Sequence, residues 1–544
     1  MRKNKVRYIF VTGGVMSGVG KGTACSAIAA ILKGRGFKVT AVKIDPYVNV
    51  DAGTMNPTEH GEVFVLNDGL ECDQDMGNYE RFLGQELSGK NYMTTGAVYK
   101  SVIERERSLK YKGKCVEVVP HIPLEVIDRI ERAAQRAGAE ICLVEIGGTV
   151  GEYQNILFLE AARMMRIKNK GQVLVAMVSY LPVPSKVGEM KTKPTQYAVR
   201  TLNSAGIQPD FIIARADRPL DQKRKEKLAV FCNIREEDVI SAPDVDSVYH
   251  LPVNFEKGGM GNMILEKFGL KSRKNDLDQW EKLSEKIKGL TKTVKIGVVG
   301  KYFSTGEFVL SDSYISVIEA IKHAAYFNGV KPELSWIDSL DYEKRPKKAR
   351  ELSGFDGIVV PGGFGERGIE GIITAINYTR ENRIPYLGLC YGMQLAVIEY
   401  ARNKAGIAQA TTAEVAPQSK EAVVDLMPEQ KEKMKQADYG GTMRLGAYPA
   451  VIKKGTRAYE AYGNTKISER HRHRYEINPE FIRRLEKAGM IFSGTSPDRK
   501  LMEIMELGSK EHGFFMGCQF HPEFQSFPQK PHPLFREFIK AAIA

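Results

Sequence analysis

Paired cysteines are missing from this chain. Its seven cysteines lie far apart and none belongs to a CxxC pair, which argues against a disulfide scaffold and against structural zinc. No apolar run reaches about eighteen residues, so no helix is expected to span a membrane. Met1-Arg2-Lys3-Asn4-Lys5 is basic, but a strand and a glycine loop follow at once, without a removable apolar region or cleavage site. A cytoplasmic protein is expected. An aromatic-basic nucleic-acid module is also lacking. The net charge of +13 therefore points to polyphosphate ligands and not to a nucleic-acid partner, with a basic surface of no special role as the plain alternative.

What is present is ordinary globular material, 43% hydrophobic and 27% charged, in 544 residues that should form two or three domains. The most informative stretch is Ile384-Pro385-Tyr386-Leu387-Gly388-Leu389-Cys390-Tyr391-Gly392-Met393-Gln394, a buried strand turning sharply into a helix. Gly388 and Gly392 flank the turn, where side chains would crowd a strained backbone. Cys390 is thereby placed near a helix N-terminus, which stabilises the reactive thiolate. Upstream, Pro361-Gly362-Gly363-Phe364-Gly365 follows the strand 357–360, and its amides can face a developing oxyanion. Downstream, His521-Pro522-Glu523 follows the apolar run 514–520. Cys390 alone reads more simply as a packed core residue. Elbow, glycine loop and histidine together reverse that preference.

This constellation resembles the class I glutamine amidotransferase family. The resemblance implies that Cys390 attacks the side-chain amide of glutamine, His521 transfers protons and Glu523 orients it, with ammonia and glutamate as products. It also implies glutamine and oxyanion contacts at Gly362, Gly363, Phe364, Tyr391, Gln394, Glu414 and Arg474. The run Glu469 to Glu476 has a plainer reading as a basic surface strand, with Arg470, Arg472 and Arg474 on one side and the histidines on the other.

At the N-terminus, the apolar strand 6–11 enters Thr12-Gly13-Gly14-Val15-Met16-Ser17-Gly18-Val19-Gly20-Lys21-Gly22-Thr23, and an alanine-rich helix then reaches about Gly34. Strand, glycine loop and helix make an anion cradle in which Lys21 can reach terminal phosphates. The strict Walker pattern wants glycine at 15 and serine or threonine at 22; Val15 and Gly22 stand there instead. A turn capping a core helix is the alternative. The stretch 68–77 is too acidic for a packed edge and suits a hard cation or a solvated turn. Strand 141–144 delivers Glu145 at its carboxyl end, where open α/β sheets bind ligands, and a charge shared with Asp75 through magnesium would offset its burial. Lys191-Thr192-Lys193-Pro194-Thr195-Gln196 is a basic turn suited to a triphosphate, and Lys227 ends a basic run.

Residues 13–22, 43–47, 60–65, 145–151 and 191–196 are similar to the synthetase half of the CTP synthase family, and the whole length fits that family with the glutaminase second. The resemblance implies an α/β protein of two open doubly wound sheet domains, the first P-loop-like and the second class I glutamine amidotransferase-like. The expected boundaries are 1–270 for the synthetase, 271–292 for a linker helix and 293–544 for the glutaminase. It implies ATP-dependent amination of UTP to CTP through a 4-phosphorylated uracil, with ATP at Ser17, Gly18, Gly20, Lys21 and Gly22. UTP or CTP would lie at Ser17, Lys191, Thr192, Lys193, Gln196 and Lys227. Magnesium is expected at Asp75 and Glu145, and Lys43 near the reacting phosphate. GTP as allosteric activator, acting through a loop around 440–446, and a homotetramer belong to the same implication; stacking of tetramers into filaments stays open. Gln154 and Pro123-Leu124 depart from the family pattern. Rival readings are a glutamine-dependent ligase for another acceptor, such as a cobyrinate-like acid, and a regulatory nucleotide-binding protein with a dead glutaminase.

Overall fold

The computed structural model describes residues 5–186, 188–301, 304–305, 308–309, 311–426 and 443–544, with the side chains of 57, 58, 304, 305, 308, 309, 311 and 312 left aside. Residues 440–442 of the expected GTP-responsive loop at 440–446 fall outside the described residues, and 444–446 open the strand Arg444–Ile452. Two compact units emerge, one of residues 1–52 and 75–285, the other of 53–74 and 286–544.

The first unit is built on a seven-stranded sheet ordered Tyr92–Thr94, Val39–Asp45, Ile141–Thr149, Arg7–Gly14, Val173–Tyr180, Phe211–Ala216 and Val239–Pro243. Every neighbouring pair is parallel. Its strands are nearly unbroken apolar runs because both faces are covered. Tyr8, Phe10, Val42, Ile44 and Val144 pack with helices Val118–Arg136 and Ile156–Lys168 in one core, while Ile9 and Val11 alternate to the opposite face. The parallel arrangement brings the carboxyl ends of the central strands to one edge. Onto that edge open the loop before helix Lys21–Gly34, the end of Val39–Asp45 and the turn before helix Lys193–Ser204. Strand Ile141–Thr149 runs past its expected end, so Glu145 sits within it, in register with Lys43 and Val11.

The linker helix appears as Asp278–Lys288. Trp280 stacks on Phe82 with ring centroids 5.0 Å apart, and residues up to 285 group with the first unit.

The second unit holds a nine-stranded mixed sheet ordered Lys331–Asp338, Thr293–Gly300, Gly357–Val360, Tyr386–Leu389, Phe515–Cys518, Met502–Leu507, Met490–Thr495, Arg444–Ile452 and Lys466–His473. The first five run parallel and the remainder antiparallel. Residues 53–74 group here and not with the flanking N-terminal sequence, because their polar groups are satisfied here. The pair Val63–Val65 and Glu71–Asp73 forms a hairpin in which Glu71 is buried and joined to Arg472 at 2.7 Å. An acidic stretch taken as too charged for a packed edge is thus packed, through an ion pair between residues distant in sequence. Glu62 accepts from the Ser316 amide at the start of helix Ile315–Phe327, at 3.1 Å. Arg470 is fully buried, bonded to Asn67 Oδ1 and, at 3.2 Å, to the Val65 carbonyl. Strand Lys466–His473 is therefore no basic surface strand, since His471 and His473 are buried on its other face.

Those histidines set an acid limit on the second unit. Burial pushes His471 and His473 well below the usual imidazole range. Burial, with Arg457, Arg383 and Arg380 nearby, takes His512 to about 4. The folded unit therefore binds fewer protons than the unfolded chain as pH falls. Stability present above about pH 6.5 is lost on the way to pH 4, by about 3 kcal/mol at His512 alone. His512 Nδ1 accepts from the Phe514 amide at 3.1 Å, a bond that an asparagine oxygen can take over. His512→Asn should show a shallower fall in thermal midpoint between pH 7 and 5 than the parent; identical slopes would refute the assignment.

Candidate functional site

The elbow forms as its glycines demand. Cys390 caps helix Tyr391–Asn403 with φ 49° and ψ −96°, a conformation that costs energy in a non-glycine residue and recurs at functional sites. A Cβ at Gly392 would lie 2.2 Å from the Val360 carbonyl, and one at Gly388 2.7 Å from Gly392. Strand and helix can approach only with both side chains absent.

Cys390 is 5% exposed at the wall of a cavity of about 720 Å³. Gly362, Gly363, Phe364, Tyr391, Gln394, Glu414, Arg474, His521 and Glu523 line the same cavity. His521 Nδ1 donates to Glu523 Oε1 at 2.7 Å, which turns Nε2 away from the carboxylate. Burial alone would lower the His521 pKa, but the charges of Glu523 and Cys390 outweigh it and lift the ring to about 10. Cys390 raises the ring both by its charge and by a side-chain hydrogen bond to His521, which places sulfur and imidazole within reach of each other. Gly362 leaves room for this imidazole, since a Cβ there would meet His521 Cε1 at 2.8 Å.

Glu414 accepts from the Gly365 amide at 2.8 Å. Burial raises its pKa, against the pull of that amide, Lys301 and Arg474. Lys301 lies over the Tyr391 ring, 4.4 Å from its centroid, and bonds its hydroxyl at 3.2 Å. Burial lowers the Lys301 pKa to about 8. No local sequence signal marked Lys301; its place follows from strand Thr293–Gly300 lying beside Gly357–Val360.

In the first unit, Lys43 Nζ lies 2.5 Å from Asp75 Oδ2, 3.0 Å from Glu145 Oε1 and 3.5 Å from Asp45 Oδ1. In-register residues on adjacent strands share a face, which is why Lys43 and Glu145 meet. Tyr79 donates its hydroxyl to the other Glu145 oxygen. Burial and the charge of Asp75 raise the Glu145 pKa, opposed by Lys43 and Lys21. Burial lowers that of Lys21, whose side chain folds back so that a Cβ at Gly13 would lie 3.1 Å from Nζ.

The two departures from the Walker pattern acquire physical reasons here. Val15 keeps the left-handed backbone of the missing glycine, with φ 79°. Gly22 stands against Asp75, whose Oδ1 would be 2.0 Å from any Cβ added there. Gly18 and Gly20 have φ 68° and 85°, and Arg215, which no sequence signal marked, reaches the Val19 carbonyl at 3.3 Å. Ser17 is exposed on the same loop. Lys191 pairs with Glu189 at 2.7 Å, Gln196 donates to Thr192 at 3.1 Å, and Lys193 and Lys227 are exposed on helices Lys193–Ser204 and Gln222–Cys232. Among the described residues no helix is long and apolar enough to cross a membrane.

Comparison with known proteins finds two family regions along the chain. Residues 7–270 match the family model for the CTP synthase N-terminus, and residues 309–541 match that for glutamine amidotransferase class-I. CTP synthases of Pyrococcus furiosus and Pyrococcus abyssi are each 51% identical over 538 residues, covering 98% of this chain and 98% of the relative. A solved structure, the Trypanosoma brucei CTPS glutaminase domain with bound acivicin, is 36% identical. It covers 46% of this chain and 94% of its own, with a TM-score of 0.42. On the full-length likeness, the chain belongs to the CTP synthase family.

Proposed function

We propose that Cys390, His521 and Glu523 release ammonia from glutamine, and that the edge carrying Lys21, Lys43, Asp75 and Glu145 activates a nucleotide to receive it. The enzyme is a glutamine-hydrolysing C–N ligase that converts UTP to CTP at the expense of ATP. The observation that carries the division of labour is Cys390 held strained at a helix N-terminus in one cavity with the His521–Glu523 pair.

Glutamine hydrolysis follows from that cavity. The Cys390 sulfur adds to the amide carbon, and amides at Gly362, Gly363 and Tyr391 face the oxygen that gains charge. His521 gives its proton to the departing nitrogen and then takes one from the water that hydrolyses the thioester. Glu414 suits the amino group and Arg474 the carboxylate of glutamine. In the synthetase, uracil O4 is a poor leaving group until phosphorylated by ATP, after which ammonia displaces phosphate at C4. Ser17, Gly18, Gly20, Lys21 and Gly22 are assigned to ATP. Lys191, Thr192, Lys193, Gln196 and Lys227, with Ser17, are assigned to UTP, and Lys43 to the charge of the transferring phosphoryl group.

Asp75 and Glu145 offer hard oxygen donors side by side, which fits magnesium. Magnesium held there would take the rest of its shell from phosphates and water. When bound, magnesium would neutralise phosphate charge. GTP activation, a homotetramer and the boundaries 1–270, 271–292 and 293–544 are supported by the family likeness. A cytoplasmic location fits substrates drawn from the nucleotide and glutamine pools.

The test is chromatographic detection of CTP from UTP, ATP and magnesium, with glutamine plus GTP or with ammonium alone. CTP from both nitrogen sources is expected. Glutamate without CTP would leave the glutaminase assignment and overturn that of the acceptor.

A further inference from the structure

Gln519 follows strand Phe515–Cys518 and is fully buried. Its side-chain Nε2 stands 3.6 Å from Cys390 Sγ. The direction of that amide is dictated by its neighbours. The Tyr475 carbonyl can only accept, so Gln394 presents Nε2 to it, at 2.9 Å. The same Nε2 lies 3.3 Å from Gln519 Oε1, which must therefore be the oxygen side of Gln519. Its NH2 group is left facing the sulfur. His473 Nδ1 holds the Tyr475 carbonyl from another side at 3.2 Å, anchoring the chain of bonds.

The sulfur meets a different group elsewhere. As a thiol, Cys390 can donate to the Arg472 carbonyl at 3.8 Å. Once the proton leaves, that carbonyl faces a negative sulfur and repels it. A buried N–H aimed at the same atom then supplies a charge-assisted bond.

We propose that Gln519 is a further catalytic residue of glutamine hydrolysis, its side-chain N–H stabilising the Cys390 thiolate before attack. This rests on the reading of Cys390 as the nucleophile. The sulfur lone pair forms the S–C bond while the carbonyl pair moves to oxygen. The proton on the leaving ammonia comes from His521, and Gln519 stays a neutral amide, giving up no proton.

The test compares the full-length enzyme with Gln519→Met, which removes the donor, and Gln519→Glu, which turns a carboxylate toward the sulfur. Alkylation of Cys390 by iodoacetamide is followed against pH by peptide mass spectrometry, with glutamine kinetics and ammonium-dependent CTP synthesis in parallel. In Gln519→Met the alkylation midpoint should move up by about one pH unit and kcat for glutamine fall about tenfold or more. The KM for glutamine and the ammonium reaction should change little. Gln519→Glu should move the midpoint further in the same direction. Variants that keep the ammonium reaction but alkylate with the parent's pH profile would overturn the proposal. A parent enzyme whose glutamine activity survives complete alkylation of Cys390 would overturn the reading beneath it as well.

Discussion

Cys390→Ala should abolish CTP formation from glutamine, by at least about a thousandfold, while leaving formation from ammonium within a factor of about two. The nucleophile is lost, and nothing else in the cavity can replace it. His521 Nδ1 is bound to Glu523, and a carboxylate such as Glu414 is engaged by the Gly365 amide. The substitution is small and lies where the chain is already tightly held, so folding should survive; relief of the positive φ constraint is not available to alanine either. The measurement is CTP production with each nitrogen source at matched protein concentration. Loss of both activities in a protein with unchanged thermal midpoint would refute the division of labour between the two units.

Gly22→Ser should nearly silence the synthetase, although it restores the residue type that a strict Walker loop carries after its lysine. The new Cβ would lie 2.0 Å from Asp75 Oδ1 and 2.5 Å from its Cγ, so Asp75 must move. Lys43 then loses a partner now 2.5 Å away, and the carboxylate assigned to magnesium is displaced with it. A shift of about 1 Å in such a constellation costs about a hundredfold in rate, and CTP formation should fall by that much with either nitrogen source. Glutamine hydrolysis should persist, because Cys390 and its partners belong to the other unit. Equal or higher synthetase activity in Gly22→Ser would mean that Asp75 does not act where it stands.

Both expectations depend on geometry that sequence conveyed unequally. The elbow was legible because its determinants are local: glycines two residues either side of Cys390, a strand before and a helix after. The same holds for the loop around Lys21, where a left-handed backbone survives even at Val15. The reason for Gly22 was not legible, since Asp75 is brought to it only by the packing of helix Asp75–Leu83 on helix Lys21–Gly34. Gln519 is a similar case. Its neighbour His521 carried a recognisable role, whereas its own depends on Gln394 and Tyr475, which come from different parts of the chain.

The sequence by itself determined the two α/β halves, the family and the nucleophile with its histidine and glutamate, because apolar runs, glycine spacing and short motifs act over a few residues. Tertiary structure alone decided that residues 53–74 pack with the second unit, that Glu71 and Arg470 are buried, and that Lys43 serves three carboxylates. A buried charge is tolerable only beside a compensating partner, and the partner is chosen by the fold, from residues that no local pattern connects.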